Sequence, residues 1–548
     1  MPATRDPTQL AAWGVLQSHR DSLASSTLRE LFGRNPGRFD EYRLEACDLL
    51  LDYSKNRLTR ETLPLLLRLA EECELPQWIE ALFEGHSVNT TEGRPALHMA
   101  LRGSVTRSVD AGDVGKLVSA ELDKMTAFVN AVERGEIKGA TGKPLNDVIS
   151  IGIGGSDLGA VMVTEALKDY ATGRTRVRFV SSIDGVDLGD VLADADPERT
   201  LFVVCSKSFT TLETMTNARA ARQWVADKLG DERAAGDHFV AISTNDKAMD
   251  SFGVPAGHRF AMWDWVGGRF SVTSAVGLPV ALAIGMKNFR DLLAGAREID
   301  EHFRDAPLAT NLPVIMGMLS IWNINFLGLP HFAMLPYDQR LHRFPAYLQQ
   351  LDMESNGKRV RRDAEAVATD TGSIIFGEPG PNAQHSFYQL LHQGTRDVPV
   401  DFLVPAEGSG DFSDQHKLSI ASCLAQSRAF MAGRSEAEVL ADLTAGGMPT
   451  DEAMQIAQHK VHPGNRPSNT LVFARVEPAT VGKLIALYEH RVFVQSAIWG
   501  INAFDQWGVQ LGKILADQLI PSVDNDERPS QLDSSTDGLL DYINRLRR

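Results

Sequence analysis

The chain has 548 residues, 43% of them hydrophobic, with 55 Lys and Arg against 71 Asp and Glu and a formal net charge of −16. A single core stops growing near roughly 250–300 residues, so two or three lobes are expected. So acidic a chain excludes broad binding to nucleic acid or to an anionic membrane, which requires clustered cations, but not a small anion held in one cleft.

Cys47, Cys73, Cys205 and Cys423 are far apart and show no metal-type spacing, as expected of free thiols in a reducing compartment. The first 23 residues carry Arg5, Asp6, Arg20 and Asp21 and hold no apolar core of signal-peptide length. No uncharged apolar run reaches membrane-spanning length, so a cytoplasmic location is expected.

Along the chain, residues 1 to about 120 read as mostly helical. Leu44, Cys47 and Leu51 recur at three- and four-residue spacing, which predicts a helix over Leu44–Leu51. Thr62–Leu69 is a second helical stretch, with Thr62 as its cap and Pro64 in its first turn. From Asn146 the pattern alternates. Strands are predicted at Asp147–Ile153, Val177–Ser181, Thr200–Cys205 and His238–Ser243, with helices at Ser156–Tyr170 and Thr211–Leu229. A second alternating region has strands at Leu327–Met334, Gly372–Phe376, Pro399–Leu403 and Thr470–Ala474, and helices at Leu418–Met431 and Val481–Ile498. Such alternation predicts βαβ units and parallel sheets in two α/β lobes. The tail, Gly508–Arg548, reads as a helix, a polar stretch and a short terminal helix, either an arm for a partner subunit or a frayed end.

The strongest local chemistry is Ser206-Lys207-Ser208-Phe209-Thr210-Thr211, which follows an apolar strand and opens a long helix. A helix N-terminus at the carboxyl end of a parallel strand favours a phosphate, and the hydroxyls and ammonium add donors. Thr210-x-x-Glu213 also fits a capping box, which would occupy some of these groups. Gly152-Ile153-Gly154-Gly155-Ser156-Asp157-Leu158-Gly159 is a second strand-to-helix turn. Asp157 holds the place of the third Gly of a dinucleotide fingerprint, and no P-loop lysine follows. Its glycines either admit a ligand or only make a tight turn.

Gln350-Leu351-Asp352-Met353-Glu354-Ser355-Asn356-Gly357-Lys358 reads as a polar turn in which Glu354, with Asp352 as rival, is a candidate general base. Gln384-His385 opens a helical pattern that places His385 and His392 about two turns apart, and neither shows metal-ligand spacing. Arg269 sits at a Gly-Gly turn, and Lys513 near a helix start after Gln506. Each alternatively serves as an ordinary salt bridge or solvated cation.

Taken together, IGIGGSDLG, SKSFTTLET, GGRFSVTSAVGL, QQLDMESNGK, EPGPNAQHSFYQLLHQGT and FDQWGVQLGK resemble, in order and spacing, the signature segments of the glucose-6-phosphate isomerase family. NTTEGRPALHMALRG resembles it too, so the likeness runs from about residue 90 to 515. The resemblance implies an α/β fold of two sugar-isomerase-type (flavodoxin-like) three-layer α/β/α sandwich domains, with a helical N-terminal region and a C-terminal arm. The expected division is 1–120 helical, 121–288 and 289–512 the two α/β domains, and 513–548 the arm.

By the same resemblance the chain interconverts glucose 6-phosphate and fructose 6-phosphate through a cis-enediolate, in glycolysis and gluconeogenesis, with no cofactor or metal. A homodimer with the active site at the subunit interface is implied. Ser206, Lys207, Ser208 and Thr211 match the phosphate ligands, Gly155 and Ser156 the turn lining the sugar, and Gln350 and Gln506 further sugar contacts. Glu354 matches the base, Arg269 the residue that stabilises the charged intermediate, and His385, from the neighbouring subunit, with Lys513 the ring-opening pair. Ser208, Leu351, Pro381, Ala383, Ala503 and Gln510 depart from the usual family residues, and none removes a group the chemistry needs. Other readings are a different phosphosugar isomerase, a phosphosugar-binding regulator without catalysis, and a nicotinamide oxidoreductase, which the broken fingerprint disfavours.

Overall fold

The structure, a computed structural model, describes every residue except 106–107, 110–111, 232–233, 411, 526 and 548. It divides into two compact units, Met1–Ala503 and Phe504–Arg548, taken separately below. In chain order the strands begin with β1 (Arg43–Ala46), β2 (Leu49–Lys55), β3 (Ser108–Val109) and β4 (Gly112–Asp113). There follow β5 (Asp147–Ile151), β6 (Arg176–Val180), β7 (Thr200–Cys205), β8 (Phe239–Ser243) and β9 (Arg259–Ala261). The last are β10 (His331–Pro336), β11 (Ile374–Gly377), β12 (Val400–Pro405) and β13 (Ser468–Phe473).

One sheet has the order β6-β5-β7-β8-β9, and its neighbours all pair in parallel. This is the flavodoxin-like 2-1-3-4-5 order expected of the sugar-isomerase fold. Every residue of β7 and β8 is buried, because helices cover both faces and only a continuous apolar run suits that position. The chain leaves β5 for one side, then returns to β7 on the other. The crevice at such a switch point, outside the carboxyl ends of the strands, is where ligands collect. Here it falls between the turn after β5 and the turn after β7, the two motifs singled out for phosphate and sugar.

The other sheet runs β1-β2-β13-β12-β10-β11. Its parallel core, β11-β10-β12-β13, repeats the 2-1-3-4 order, and the β1–β2 hairpin closes one edge by antiparallel pairing with β13. The helix expected over Leu44–Leu51 is therefore wrong. Cys47 and Asp48, with φ of 52° and 56°, form the tight two-residue turn between β1 and β2. The spacing that looked helical is too short to separate the two periods, and pairing of Leu51 with Leu471 decided it.

Most other elements fall within a few residues of expectation, including Leu212–Leu229 and Pro478–Trp499. Thr62 begins its helix but does not cap it. Glu61 holds the cap position, and the Thr62 hydroxyl instead accepts from the Thr59 N–H and pairs with His19. β9 and the helices Val114–Glu133, Leu278–Asp305 and Leu312–Ile321 were not anticipated. Leu278–Asp305 and Pro478–Trp499 pack together. Near them Arg102 lies 3.0 Å from Asp300 and 2.6 Å from Glu489, all with side chains fully shielded from solvent.

The Phe504–Arg548 unit carries the helices Gln510–Leu519 and Ser534–Arg547. Asn544 ties the second helix to the preceding turn through the Ser522 carbonyl at 3.0 Å. No helix among the described residues is long and apolar enough to cross a membrane.

Candidate active site

The Ser206–Thr211 turn starts at the end of β7, where the Ser206 N–H donates to the Ile242 carbonyl of β8. Phe209 takes a left-handed conformation, φ 54°, which costs a non-glycine residue of order 1–3 kcal/mol. Its ring offsets that strain, because it is 3% exposed and meets Phe252 edge-on at 5.7 Å. The curled backbone presents hydroxyls in two pairs, Ser206 with Thr211 at 3.2 Å and Ser208 with Thr210 at 2.7 Å.

The capping-box alternative for Thr210 fails. The cap of Leu212–Leu229 is Thr211, and it makes no side-chain cap hydrogen bond. The first-turn N–H groups of that helix are thus not satisfied by the cap side chain, and the helix dipole adds partial positive charge there. Lys207 lies half-buried beside them. Its ammonium donates to the Asp264 and Val266 carbonyls at 3.2 and 3.4 Å and pairs with the Asp264 carboxylate at 3.3 Å. Burial lowers its pKa, and Asp264 opposes that shift.

The Gly152–Ser156 turn lies alongside, since β5 and β7 are paired up to Ile151 and Val204. The Cys205 thiol at the end of β7 is buried, and burial pushes its pKa up to about 12, with Ser156 opposing the rise. Gly155 has no alternative residue: an added Cβ would sit 2.2 Å from the Gly268 carbonyl carbon. That close approach joins this turn to Gly267-Gly268-Arg269, and Ser271 Oγ donates to the carbonyls of both Gly155 and Gly268. Asp157, next in line, is buried, and desolvation raises its pKa to about 6.

Arg269 is 3% exposed. Its Nη1 donates to Glu354 Oε2 at 3.0 Å, its Nε to Ser355 Oγ at 2.6 Å, and its Nη2 to the Ala503 carbonyl. Gln350 Nε2 donates to the same Glu354 oxygen at 3.3 Å. Glu354 does not lie on a polar turn as expected. Gln349–Glu354 is a π-helical stretch that continues the helix Phe344–Leu348. The wider π-turn puts Gln350 and Glu354 on one face, and such stretches are frequent at functional sites. Lys358 closes the segment by donating to the Glu354 and Ser355 carbonyls at 2.8 and 2.9 Å.

Asp352, the rival base, points the other way. It is 2% exposed, desolvation raises its pKa, and the nearby charge is Arg491 rather than Arg269.

The structure thus brings Gly155, Ser156, Ser206, Lys207, Ser208, Thr211, Arg269, Gln350 and Glu354 into one continuous set. It does not bring His385 into that set. His385 is exposed on the turn between the helices Gly380–Ala383 and Tyr388–Gln393, so the expected run of helix from Gln384 is broken there. His392 is a structural histidine, hydrogen-bonded to Gln426 at 2.7 Å and packed on Phe430 at 4.4 Å. Gln506 and Lys513 are exposed in the second unit, Lys513 in the first turns of Gln510–Leu519.

Sequence reasoning passed over Ser355, although it adjoins Glu354. It also passed over Arg94, which holds Asp264 at 3.2 Å from within NTTEGRPALHMALRG, a segment given no chemical role. Among the described residues no group of three or more His, Cys, Asp or Glu could hold a metal ion.

A doubly wound α/β scaffold with a serine- and threonine-rich helix start at its switch point, beside a paired carboxylate and guanidinium, defines the phosphosugar-isomerase class. Within it, the chain belongs to the phosphoglucose isomerase family, whose pattern it matches over residues 52–540. It is 49% identical to the glucose-6-phosphate isomerase of Methylococcus capsulatus over 98% of this chain and 99% of that one. It is 50% identical to that of Brucella canis, over 99% of this chain and all of that one. Among solved structures, a glucose-6-phosphate isomerase from Chlamydia trachomatis superimposes with a TM-score of 0.84 at 32% identity, covering 99% of this chain and all of that one.

Proposed function

We propose that this chain interconverts glucose 6-phosphate and fructose 6-phosphate by moving one proton between C2 and C1. The observation that carries the proposal is the carboxylate of Glu354, held by Arg269 and Gln350, with Arg269 following the Gly268 that packs on the Gly152–Ser156 turn next to β7 and its Ser206–Thr211 helix start.

The phosphate binds at the start of Leu212–Leu229, through the first-turn N–H groups, the hydroxyls of Ser206, Ser208 and Thr211, and Lys207. This remote grip turns binding energy into orientation of C1 and C2. Gly155, Ser156, Gln350 and Gln506 line the sugar. His385 and Lys513 open the ring by returning a proton to the ring oxygen and taking one from the C1 hydroxyl. Glu354 then removes the C2 proton. The electron pair becomes the C1–C2 double bond of a cis-enediolate, whose negative oxygen Arg269 stabilises. Glu354 returns the proton to C1, and the proton of the C2 hydroxyl passes to the oxygen on C1, giving the ketose. The same steps reversed give the aldose. General acid–base help of this kind contributes roughly 10²–10⁴-fold per group.

The exposed position of His385 supports a homodimer in which a second copy supplies that residue. A cytoplasmic place in glycolysis and gluconeogenesis fits the substrates. The test is conversion of fructose 6-phosphate to glucose 6-phosphate by purified protein in excess EDTA. Turnover that persists supports the metal-free route, and no turnover with or without divalent metal overturns the assignment.

A further inference from the structure

The guanidinium of Arg269 is held on three sides, by Ser355 through Nε, Glu354 through Nη1 and Ala503 through Nη2. The proposed reaction treats these contacts differently. Glu354 must leave Nη1 to reach a carbon-bound hydrogen, and Nη1 must then face the oxygen where charge develops. A planar guanidinium on a flexible stem keeps its aim through such an exchange only if its other N–H groups stay anchored. Ser355 is a side chain that supplies such an anchor, accepting from Nε at 2.6 Å. It is fully buried, so water has no access to replace its hydroxyl, and it follows Glu354 directly in the chain.

We propose that Ser355 is a positioning residue, whose hydroxyl fixes the Arg269 plane while Nη1 passes from Glu354 to the enediolate oxygen. This rests on the reading of Arg269 given above. The carboxylate comes from the last residue of the π-helical stretch and the hydroxyl from the residue that follows it, so adjacent backbone carries the base that moves and the anchor that stays.

The experiment measures kcat, KM and thermal stability for Ser355→Ala, Ser355→Cys and Ser355→Thr, and for Ser355→Ala combined with Arg269→Ala. Loss of a hydrogen bond to a charged group predicts a fall in kcat on the order of tenfold for Ser355→Ala, with KM nearly unchanged. Ser355→Cys nearly keeps the volume and so the fold, but sulfur is a weak acceptor, and it falls similarly. Ser355→Thr keeps the hydroxyl and restores much of the rate. In the Arg269→Ala background the serine change has no further effect. Wild-type kcat in Ser355→Ala or Ser355→Cys, or additive losses in the double variant, overturns the proposal. Full activity of Arg269→Ala alone instead overturns the role given to Arg269.

Discussion

Glu354 Oε2 lies 3.0 Å from Arg269 Nη1, and the two side chains come from positions 85 residues apart. The arginine side chain is 2% exposed and the carboxylate 22%, so the pair is anchored on its cationic side and open on its anionic side. That asymmetry suits a base that must move and a cation that must stay.

Glu354→Gln removes the base but keeps the shape and a hydrogen-bonding amide. Turnover is expected to fall by roughly 10²–10⁴-fold, while a competitive sugar-phosphate analogue still binds. Steady-state kinetics and calorimetry check this, and near-normal turnover removes Glu354 from the role. In D₂O the wild-type product is expected to carry solvent deuterium at the transferred position, as a carboxylate exchanges its proton. Complete retention of the original label would instead indicate a hydride shift.

Lys207 is held half-buried by backbone carbonyls and Asp264. Replacing Lys207 with Met removes a charge-assisted contact to the phosphate. The loss in kcat/KM is expected to be about 10–100-fold, from roughly 1.5–3 kcal/mol for such a bond. Inorganic phosphate should lose potency as an inhibitor in parallel. An unchanged inhibition constant would place the anion elsewhere.

Phe209 is the anchor of the same turn. Phe209→Ala leaves the left-handed backbone in place without the buried ring that holds it, and a loss of about 3–5 kcal/mol of stability is expected. Denaturant titration measures that loss, and KM for the sugar phosphate should rise with it as the hydroxyl pairs loosen.

Arg102 carries a prediction about stability rather than catalysis. Arg102→Ala strands the buried carboxylates of Asp300 and Glu489. Breaking a buried ion pair from one side costs about 3–5 kcal/mol. Glu489 already has a pKa raised to about 7 by burial, with Arg102 opposing the rise, so it should pick up a proton in the variant at neutral pH. Calorimetric unfolding tests this, and a wild-type transition would show that the charges are satisfied some other way.

Asp157 sets a pH dependence whose sign is fixed by its raised pKa of about 6. The folded chain favours the neutral acid more than the unfolded chain does, whose carboxylate titrates near 3.8. Its contribution to stability is therefore fully present below about pH 4 and lost as pH rises through about 6. Asp157→Asn keeps a neutral group at every pH. The variant is expected to gain up to about 3 kcal/mol over the wild type at pH 7–8, with the gain vanishing near pH 4. Unfolding curves at both ends check it, and a constant difference across pH would contradict the assignment.

Much of this was legible in the chain. β7, Thr200–Cys205, is an apolar run from Leu201 onward, and its bounds follow closely from composition because a strand buried on both faces is nearly all apolar. The Ser206–Thr211 cluster declares itself by position, since a polar turn between such a strand and a long helix has few other uses. The β1–β2 hairpin was not legible, because Leu44, Cys47 and Leu51 satisfy two periods at once and only pairing with β13 chooses between them. The π-helical stretch under Glu354 was hidden too, because its residues read as ordinary polar loop.

Local sequence by itself therefore determined the parallel α/β class, the anion-binding helix start and the identity of the residues able to carry charge or protons. Side-chain type and short-range period encode those directly. Only the tertiary structure decided that Arg269 meets Glu354 and Ser355, that Asp352 turns inward to Arg491, and that Thr210 does not cap its helix. Those outcomes depend on which distant segments share a crevice, and a burial choice between two carboxylates two residues apart is made by packing around them, not by their neighbours in the chain.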